Sequence, residues 1–259
     1  MSDKKESIIE YPHYDIAGKY NRKTIVLLHG IGVNRKIWTP QMMAAYYGYR
    51  LIIPDLLGHG KRSDEPFTFK KALHSLNTIL DETNSESVLL AGFSLGGYLV
   101  SEFAAHYPEK TCGLVLIGAS ALPKGLVSVP YHILAFLYRL IDTRWLERRD
   151  IRRWRARYGA EIAEPVIRSG FYHSVVPSLE KEIQGRDFLN GLKNYSKPVL
   201  IMNGEKDLLF RKDENLYQRS IPDSRVITVE NAGHMCNIEA RESFNQHLLK
   251  FAGSLDWGE

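Results

Sequence analysis

Gly92-Phe93-Ser94-Leu95-Gly96-Gly97 directly follows the apolar run 87–91 and leads into a second apolar segment, 98–105. This pattern predicts a strand, a sharp turn and a helix, with the serine at the apex of the turn. Glycines flank the serine because a tight reversal leaves no room for side chains. The hydroxyl of Ser94 is then expected at the carboxyl edge of a sheet, where it can act as a nucleophile. An ordinary glycine-rich turn with a capping serine is the alternative interpretation.

Two later segments supply what a serine nucleophile needs, a base and a residue that orients the base. Asp207 follows an apolar strand predicted at 198–203, and His234 follows the next predicted strand, 225–229. The chain order Ser94, Asp207, His234 is typical of a nucleophile on a strand–turn–helix motif. We therefore expect the three side chains to meet at one edge of the sheet.

Both partners of the serine have alternative interpretations. Asp207 can cap a helix, and His234 can be a structural turn residue. Glu205 and Asp213 compete with Asp207 for the orienting role. Asp207 is favoured because the short turn after its strand places it above the sheet edge, whereas Asp213 lies further along a predicted helix.

An anion-binding site is predicted where the apolar strand 24–28 ends in His29-Gly30-Ile31-Gly32. The tetrahedral intermediate of acyl transfer carries negative charge on oxygen, which preorganised backbone N–H groups stabilise. The N–H of Leu95 is one expected donor, since it follows the nucleophile at the start of a helix. The N–H of Ile31, next to glycines that allow close approach, is the other. His29 itself is interpreted as a structural turn residue.

These motifs resemble those of the α/β-hydrolase superfamily, in its serine esterase, lipase and C–C hydrolase branch. The resemblance implies a nucleophile at Ser94, an acid at Asp207, a base at His234 and oxyanion donors at Ile31 and Leu95, with no cofactor and no metal. Related haloalkane dehalogenases and epoxide hydrolases carry aspartate at the turn, so the serine favours acyl chemistry. The matching segments run in family order and span the chain except for about 122–190: residues 29–32, 55–63, 92–97, 203–207 and 232–234. Segment 55–63 is interpreted as a loop that supports the site.

The fold class predicted is α/β, with a mainly parallel central sheet, flanking helices and an inserted helical cap. About 80 residues separate the strand that ends near Ala119 from the one that begins near Pro198, far more than a single crossover needs. We expect an α/β-hydrolase core at 1–121 and 190–259, with a cap or lid at 122–189 folded over the active-site edge. Strands are predicted at 24–28, 50–53, 87–92, 113–118, 198–203 and 225–229, with antiparallel edge strands within 7–11 and 14–17.

The predicted cap has an apolar and a basic part. Its apolar stretch, Tyr131–Ile141, is shorter than the roughly 20 residues that span a bilayer, and it is interpreted as a packing helix, with an acyl-pocket lining as the alternative. The basic part is interpreted as a solvated helix face; an anionic substrate group or acidic lipid headgroups are the alternatives. No nucleic-acid motif accompanies it. The arginines are Arg144, Arg148, Arg149, Arg152, Arg153, Arg155 and Arg157.

Composition and cysteine usage narrow the class of protein. The chain has 259 residues, 44% hydrophobic, and a formal net charge of +4. Cys112 and Cys236 give no disulfide framework or zinc spacing, and both are interpreted as structural thiols, Cys112 in the core. The first residues lack an apolar signal core and no membrane-spanning run is seen, so a cytoplasmic location without stable membrane insertion is expected.

The expected function is that of a serine hydrolase that cleaves carboxylic esters through an acyl-enzyme intermediate. The substrate is expected to be a small-molecule ester or acyl compound, with an acidic group as an open alternative. Hydrolysis of a carbon–carbon bond in a diketone and thioester cleavage use the same triad and stay open. A small-molecule receptor with little or no turnover is the alternative from another class. Acyl length, leaving group and oligomeric state are not predicted.

Overall fold

The computed structural model describes residues 8–120, 133, 136–138 and 141–258. Within them, eight strands form one sheet in the order β1-β2-β4-β3-β5-β6-β7-β8. The pairs β1–β2 and β2–β4 are antiparallel, and all the other neighbouring pairs are parallel. The predicted α/β class and the two antiparallel edge strands are confirmed. The strands are β1 Ile9–Glu10, β2 Tyr14–Ala17, β3 Lys23–Leu28, β4 Tyr49–Pro54, β5 Val88–Phe93, β6 Thr111–Ile117, β7 Val199–Gly204 and β8 Ser224–Val229.

The central strands form where the sequence is continuously apolar. Every residue of β5, β6 and β7 is buried. Parallel strands have continuously apolar sequences because helices cover both faces of their sheet. Alternate side chains point to opposite faces, so Ile25 and Leu27 pack in one core layer and Val26 and Leu28 in the other.

Helices cover both faces and fill the crossovers. α1 and α2 contribute to one core layer, whereas the 3₁₀-helical segment Arg35–Tyr47 and α8 contribute to the other. The helices are α1 Phe69–Glu82, α2 Leu95–His106, α3 Thr143–Ser169, α4 Val176–Ile183, α5 Leu208–Arg211, α6 Glu214–Ser220, α7 Cys236–Glu239 and α8 Arg241–Gly253. α3 is interrupted at Gly159, whose φ of 71° and ψ of 167° are not helical.

Segment 122–189, between β6 and β7, is called the inserted segment. Its described part is mainly helical and lies against the loop after β3. The side chain of Asn34 donates hydrogen bonds to the carbonyl oxygens of Val166 and Gly170 at 3.0 and 2.8 Å. The N–H of Tyr172 donates to the carbonyl of Gly32 at 2.9 Å. Most of the apolar stretch 131–141 lies outside the described residues, so its predicted packing is not addressed by them.

Both cysteines are free and buried, as expected of structural thiols. Burial raises the pKa of each thiol to about 12, which keeps both in the unreactive protonated form at neutral pH. Among the described helices, none is long and apolar enough to cross a bilayer.

Candidate active site

Ser94 lies on a strained turn between β5 and α2. Its backbone has φ 53° and ψ −114°, a region that non-glycine residues rarely adopt and that costs about 1–3 kcal/mol. A Cβ at Gly92 would lie 2.2 Å from the carbonyl oxygen of Gly96, and a Cβ at Gly96 would lie 2.4 Å from that of Leu28. The two glycines are therefore sterically required. The N–H of Ser94 donates a hydrogen bond to the carbonyl oxygen of Ile117 at 2.7 Å, which joins the turn to β6.

A cavity of about 200 Å³ lies beside Ser94 and beneath the inserted segment. Ser94 itself is 7% exposed, so its hydroxyl meets a largely water-excluded space. The described wall is mostly apolar, with a few polar groups. It is lined by Ile31, Gly32, Val33, Ser94, Leu95 and Tyr98 from the sheet edge and by Tyr138, Asp150, Trp154, Phe171, His173, Val176 and Ile183 from the inserted segment.

Asp207 and His234 meet at the carboxyl ends of β7 and β8. The Nδ1–H of His234 donates to Oδ2 of Asp207 at 2.7 Å, and Asp207 is 8% exposed. Asp207 occupies the N-cap position of α5, but its side chain makes no hydrogen bond to the start of that helix, so the carboxylate does not act as the cap. Because Nδ1 carries the proton in this pair, Nε2 of the neutral ring is an acceptor. Of the competing carboxylates, Glu205 is occupied as the acceptor of the Asn231 N–H at 2.9 Å.

Aromatic rings and a glycine fix the position of the His234 ring. Phe210 stacks on it with centroids 4.4 Å apart, and Phe93 packs against it at 4.7 Å. A Cβ at Gly118, just after β6, would lie 2.8 Å from Cε1 of the imidazole. The Ser94 hydroxyl makes no hydrogen bond to His234 within the described residues. Such nucleophile–base bonds are often long in unliganded enzymes and tighten when substrate binds.

The two backbone donors expected for the anion site lie at the cavity. Ile31 and Leu95 both line it, and neither N–H has an acceptor among the described residues. Leu95 is the first residue of α2, where the helix dipole favours negative charge. The neighbouring Gly32 N–H is occupied, since it donates to Nε2 of His59 at 2.9 Å.

A family model for the alpha/beta hydrolase family matches residues 25–246. The chain belongs to the α/β-hydrolase family. It is 28% identical over 266 residues, 93% of this chain and 90% of the relative, to a 2-hydroxy-6-oxononadienedioate/2-hydroxy-6-oxononatrienedioate hydrolase of Paraburkholderia phymatum. It is 24% identical to lipase 1 of Psychrobacter immobilis over 255 residues, 92% of this chain and 80% of the relative. An esterase structure from Exiguobacterium antarcticum has the same fold, with a TM-score of 0.79 and 21% identity over 93% of this chain and 95% of that one.

Two buried histidines of this α/β-hydrolase hold the loops around Ile31. Nε2 of His29 accepts the N–H of Leu56 at 2.9 Å while its Nδ1–H faces the carbonyl of Gly30. His59 accepts from Gly32 through Nε2, and its Nδ1 lies 3.0 Å from the carbonyl of Leu57. Each ring thus uses one nitrogen as acceptor and one as donor, which requires the neutral form. His29 is structural, as expected, and segment 55–63 supports the site through His59.

Acidification is expected to destabilise the α/β-hydrolase through these rings. Burial lowers the pKa of His29 to about 4 and that of His59 to about 3, below the ordinary value of about 6.5. Between about pH 4 and pH 6.5, these two histidines bind more protons in the unfolded chain than in the folded protein. The free energy of unfolding therefore falls as the pH drops below about 6.5. At pH 5 the loss is about 2 kcal/mol for each ring. Urea unfolding at pH 7 and pH 5 measures it.

A histidine variant separates this effect from other titrating groups. His59→Gln keeps an acceptor for the Gly32 N–H but removes one titrating ring, so the drop in unfolding free energy between pH 7 and pH 5 should be smaller by about 2 kcal/mol. His74→Gln, at an exposed position, is the control and should leave the drop unchanged. An equal drop in wild type and His59→Gln would contradict the assignment.

Glu239 is a supporting residue that sequence analysis missed. Its Oε2 accepts the N–H of Gly233, directly before His234, at 2.6 Å. Its Oε1 accepts from Arg157 at 2.9 Å and from the hydroxyl of Tyr158 at 3.3 Å. The carboxylate therefore joins the loop of His234 to α3. No local sequence pattern predicts the contact of Glu239 with α3, because α3 and α7 are far apart along the chain.

The basic face of α3 lies outside the cavity. None of its arginines is among the described lining residues. Arg155 pairs with Glu164 at 2.7 Å, and Arg157 pairs with Glu239. Most of the others are exposed, which agrees with the solvated-face interpretation. Arg149 pairs with a residue of the cavity wall, Asp150, at 2.9 Å.

Proposed function

We propose that this α/β-hydrolase cleaves small carboxylic esters through an acyl-enzyme intermediate, with Ser94 as nucleophile, His234 as base and Asp207 as the residue that orients the base. The observation that carries the proposal is the strained backbone of Ser94 at the cavity wall, φ 53° and ψ −114°. Strain of this kind persists where the surrounding structure enforces it, often at active sites. The base that complements it is His234, held by the buried carboxylate of Asp207 at 2.7 Å.

In the proposed reaction, Oγ of Ser94 attacks the ester carbonyl carbon while Nε2 of His234 takes the hydroxyl proton. The carbonyl oxygen becomes an oxyanion, which accepts hydrogen bonds from the N–H groups of Ile31 and Leu95. When the intermediate collapses, the carbon–oxygen bond to the alcohol breaks and His234 gives the alcohol its proton. Water then attacks the acyl-enzyme by the same route, so the acid leaves and Ser94 is regenerated.

We also propose that segment 122–189 acts as a cap that shapes the substrate site. In support, described residues of this segment form one side of the cavity, among them Trp154, Phe171 and Ile183. The cavity volume of about 200 Å³ is below the 300–1,000 Å³ usual for drug-sized ligands, which favours short acyl or alcohol groups. The two free thiols suit a reducing compartment, so we propose a cytoplasmic location.

Carbon–carbon bond hydrolysis is the second candidate function. The relative from Paraburkholderia phymatum is by name a hydrolase of 2-hydroxy-6-oxononadienedioate, a keto compound rather than an ester, and it aligns over 93% of this chain. The proposed triad serves either reaction. Ester cleavage is favoured because the described wall contains no arginine or lysine that would bind the two carboxylates of such a substrate.

The test compares substrates and identifies the reactive side chain. Purified protein is assayed with 4-nitrophenyl acetate and butanoate, a matched thioester and a vinylogous diketone, and is labelled with a fluorophosphonate. We expect turnover of the short esters and a label on the peptide that contains Ser94. Turnover of the diketone alone would favour the second function. Ligand-induced thermal stabilisation without turnover of any substrate would favour a receptor and contradict the proposal.

A further inference from the structure

Two polar side chains of the inserted segment face each other in the cavity wall. Asp150 belongs to α3, and His173 lies in the 3₁₀ turn His173–Val175 before α4. Nε2 of His173 is 3.2 Å from Oδ2 of Asp150. His173 is 7% exposed, yet this nitrogen makes no aligned hydrogen bond among the described residues. A buried imidazole nitrogen and a carboxylate oxygen are thus both available to a molecule in the cavity.

The carboxylate of this pair is held in its charged form. Nε of Arg149 donates to Oδ1 of Asp150 at 2.9 Å, from outside the cavity. Partial burial alone would raise the pKa of Asp150, but the interactions with His173 and Arg149 outweigh burial and lower it. Because Arg149 occupies Oδ1, the other oxygen is left for His173 and for a ligand.

The rest of the described wall is mostly apolar, with Ser94, Tyr98 and Tyr138 as its other polar side chains. Trp154, Phe171 and Val176 line the cavity around the pair. Burying a polar group without a hydrogen-bond partner costs free energy, so a substrate that is hydrocarbon throughout would leave Nε2 of His173 without an aligned hydrogen bond. Recognition by this wall therefore calls for one polar group on the substrate, apart from its ester.

We infer that Asp150 and His173 form a subsite that binds a hydroxyl group on the acyl or alcohol part of the substrate. This inference rests on the proposed esterase function. A hydroxyl both donates and accepts, so it can donate to the carboxylate oxygen and pair with the imidazole nitrogen at once. A substrate carboxylate only accepts hydrogen bonds, and it would face the negative charge of Asp150. The subsite thus selects hydroxy esters over plain and acidic ones.

Matched substrates test the subsite. The acyl pair is 4-nitrophenyl 3-hydroxybutanoate and 4-nitrophenyl butanoate; the alcohol pair is 4-hydroxybutyl acetate and butyl acetate. We expect wild type to prefer the hydroxylated member of at least one pair by about tenfold or more in kcat/KM, as for a hydrogen bond to a charged group. Asp150→Asn and His173→Phe should each lower that preference towards one, and the readout is the ratio of kcat/KM within each matched pair.

Control variants and folding measurements accompany this test. Glu147→Gln changes an exposed carboxylate on the same helix and should keep the wild-type preference. His173→Phe retains a ring against Phe171, whose centroid is 6.2 Å away, so it stands in if Asp150→Asn fails to fold in thermal melts. Equal kcat/KM within both pairs for wild type, or a preference that survives both substitutions, would overturn the inference.

Measurements of ligand binding distinguish a failure of the subsite inference from a failure of the proposed esterase function. Ligand-observed NMR compares methyl 3-hydroxybutanoate, methyl butanoate, 4-hydroxybutyl acetate and butyl acetate on Ser94→Ala protein. Ester turnover without hydroxyl preference would overturn the subsite and leave the esterase intact. Hydroxyl-selective binding that Asp150→Asn abolishes, with no turnover by wild type, would overturn the esterase and support the subsite.

Discussion

Ser94→Ala is expected to lower kcat for ester hydrolysis by about 10⁴- to 10⁶-fold, the range seen when a triad serine is removed. The alanine lacks the oxygen that would form the acyl-enzyme, so only transition-state stabilisation by the N–H groups of Ile31 and Leu95 and substrate binding remain. Stability should not fall, since the Ser94 hydroxyl makes no hydrogen bond among the described residues. Steady-state kinetics with 4-nitrophenyl butanoate, alongside thermal melts, measure both quantities.

A second serine of the same helix provides a matched control. Ser101 is buried in α2, and its hydroxyl donates to the carbonyl of Gly97 at 3.0 Å. Ser101→Ala makes the same chemical change away from the cavity and should leave kcat within about threefold. If Ser94→Ala keeps more than a tenth of the wild-type kcat, Ser94 is not the nucleophile.

Asp207→Asn is expected to lower kcat by about 10⁴-fold. The asparagine amide can donate towards Nδ1 of His234, which favours the tautomer with the proton on Nε2. That nitrogen then cannot take the proton of Ser94, although the shape of the site is kept. The loss should appear both in ester turnover and in the rate of fluorophosphonate labelling, because each requires an activated serine.

The neighbouring aspartate serves as the control for this substitution. Asp213 directly precedes α6 and is close in sequence to Asp207, so Asp213→Asn should retain near wild-type kcat. A large loss in Asp213→Asn combined with a small one in Asp207→Asn would reverse the assignment of the orienting residue. Equal melting temperatures of the two variants would exclude unfolding as the cause.

Local sequence was enough for the parts of the site that sit at the ends of strands. Ser94 and Asp207 follow strands that are buried on both faces, His234 follows the partly buried edge strand β8, and parallel strands end at the same edge of the sheet. The Asp207–His234 contact at 2.7 Å follows from that geometry. The steric need for Gly92 was likewise readable, because a strand-to-helix turn leaves no space for a Cβ.

Local sequence did not predict which side chains of the inserted segment line the cavity, nor which residues contact its helices. Glu239 of α7 meets Arg157 of α3, 82 positions away along the chain, and Asp150 of α3 meets His173 of a separate turn. A charged helix such as α3 carries no sequence pattern that predicts which of its side chains faces a cavity. The arginine-rich composition of α3 suggested an anionic substrate as one alternative. The packed helix instead presents Asp150 to the cavity and turns most of its arginines to solvent.

The sequence by itself therefore determined the α/β class, the mainly parallel sheet and the residue types at its carboxyl edge, because strand periodicity and tight turns are local properties of the chain. Only the tertiary structure determined the cavity wall, the hydrogen bonds of Glu239 that join the His234 loop to α3, and the neutral forms of His29 and His59. Those features depend on how a helix is rotated and how deeply a ring is buried, and both are set by contacts between distant segments.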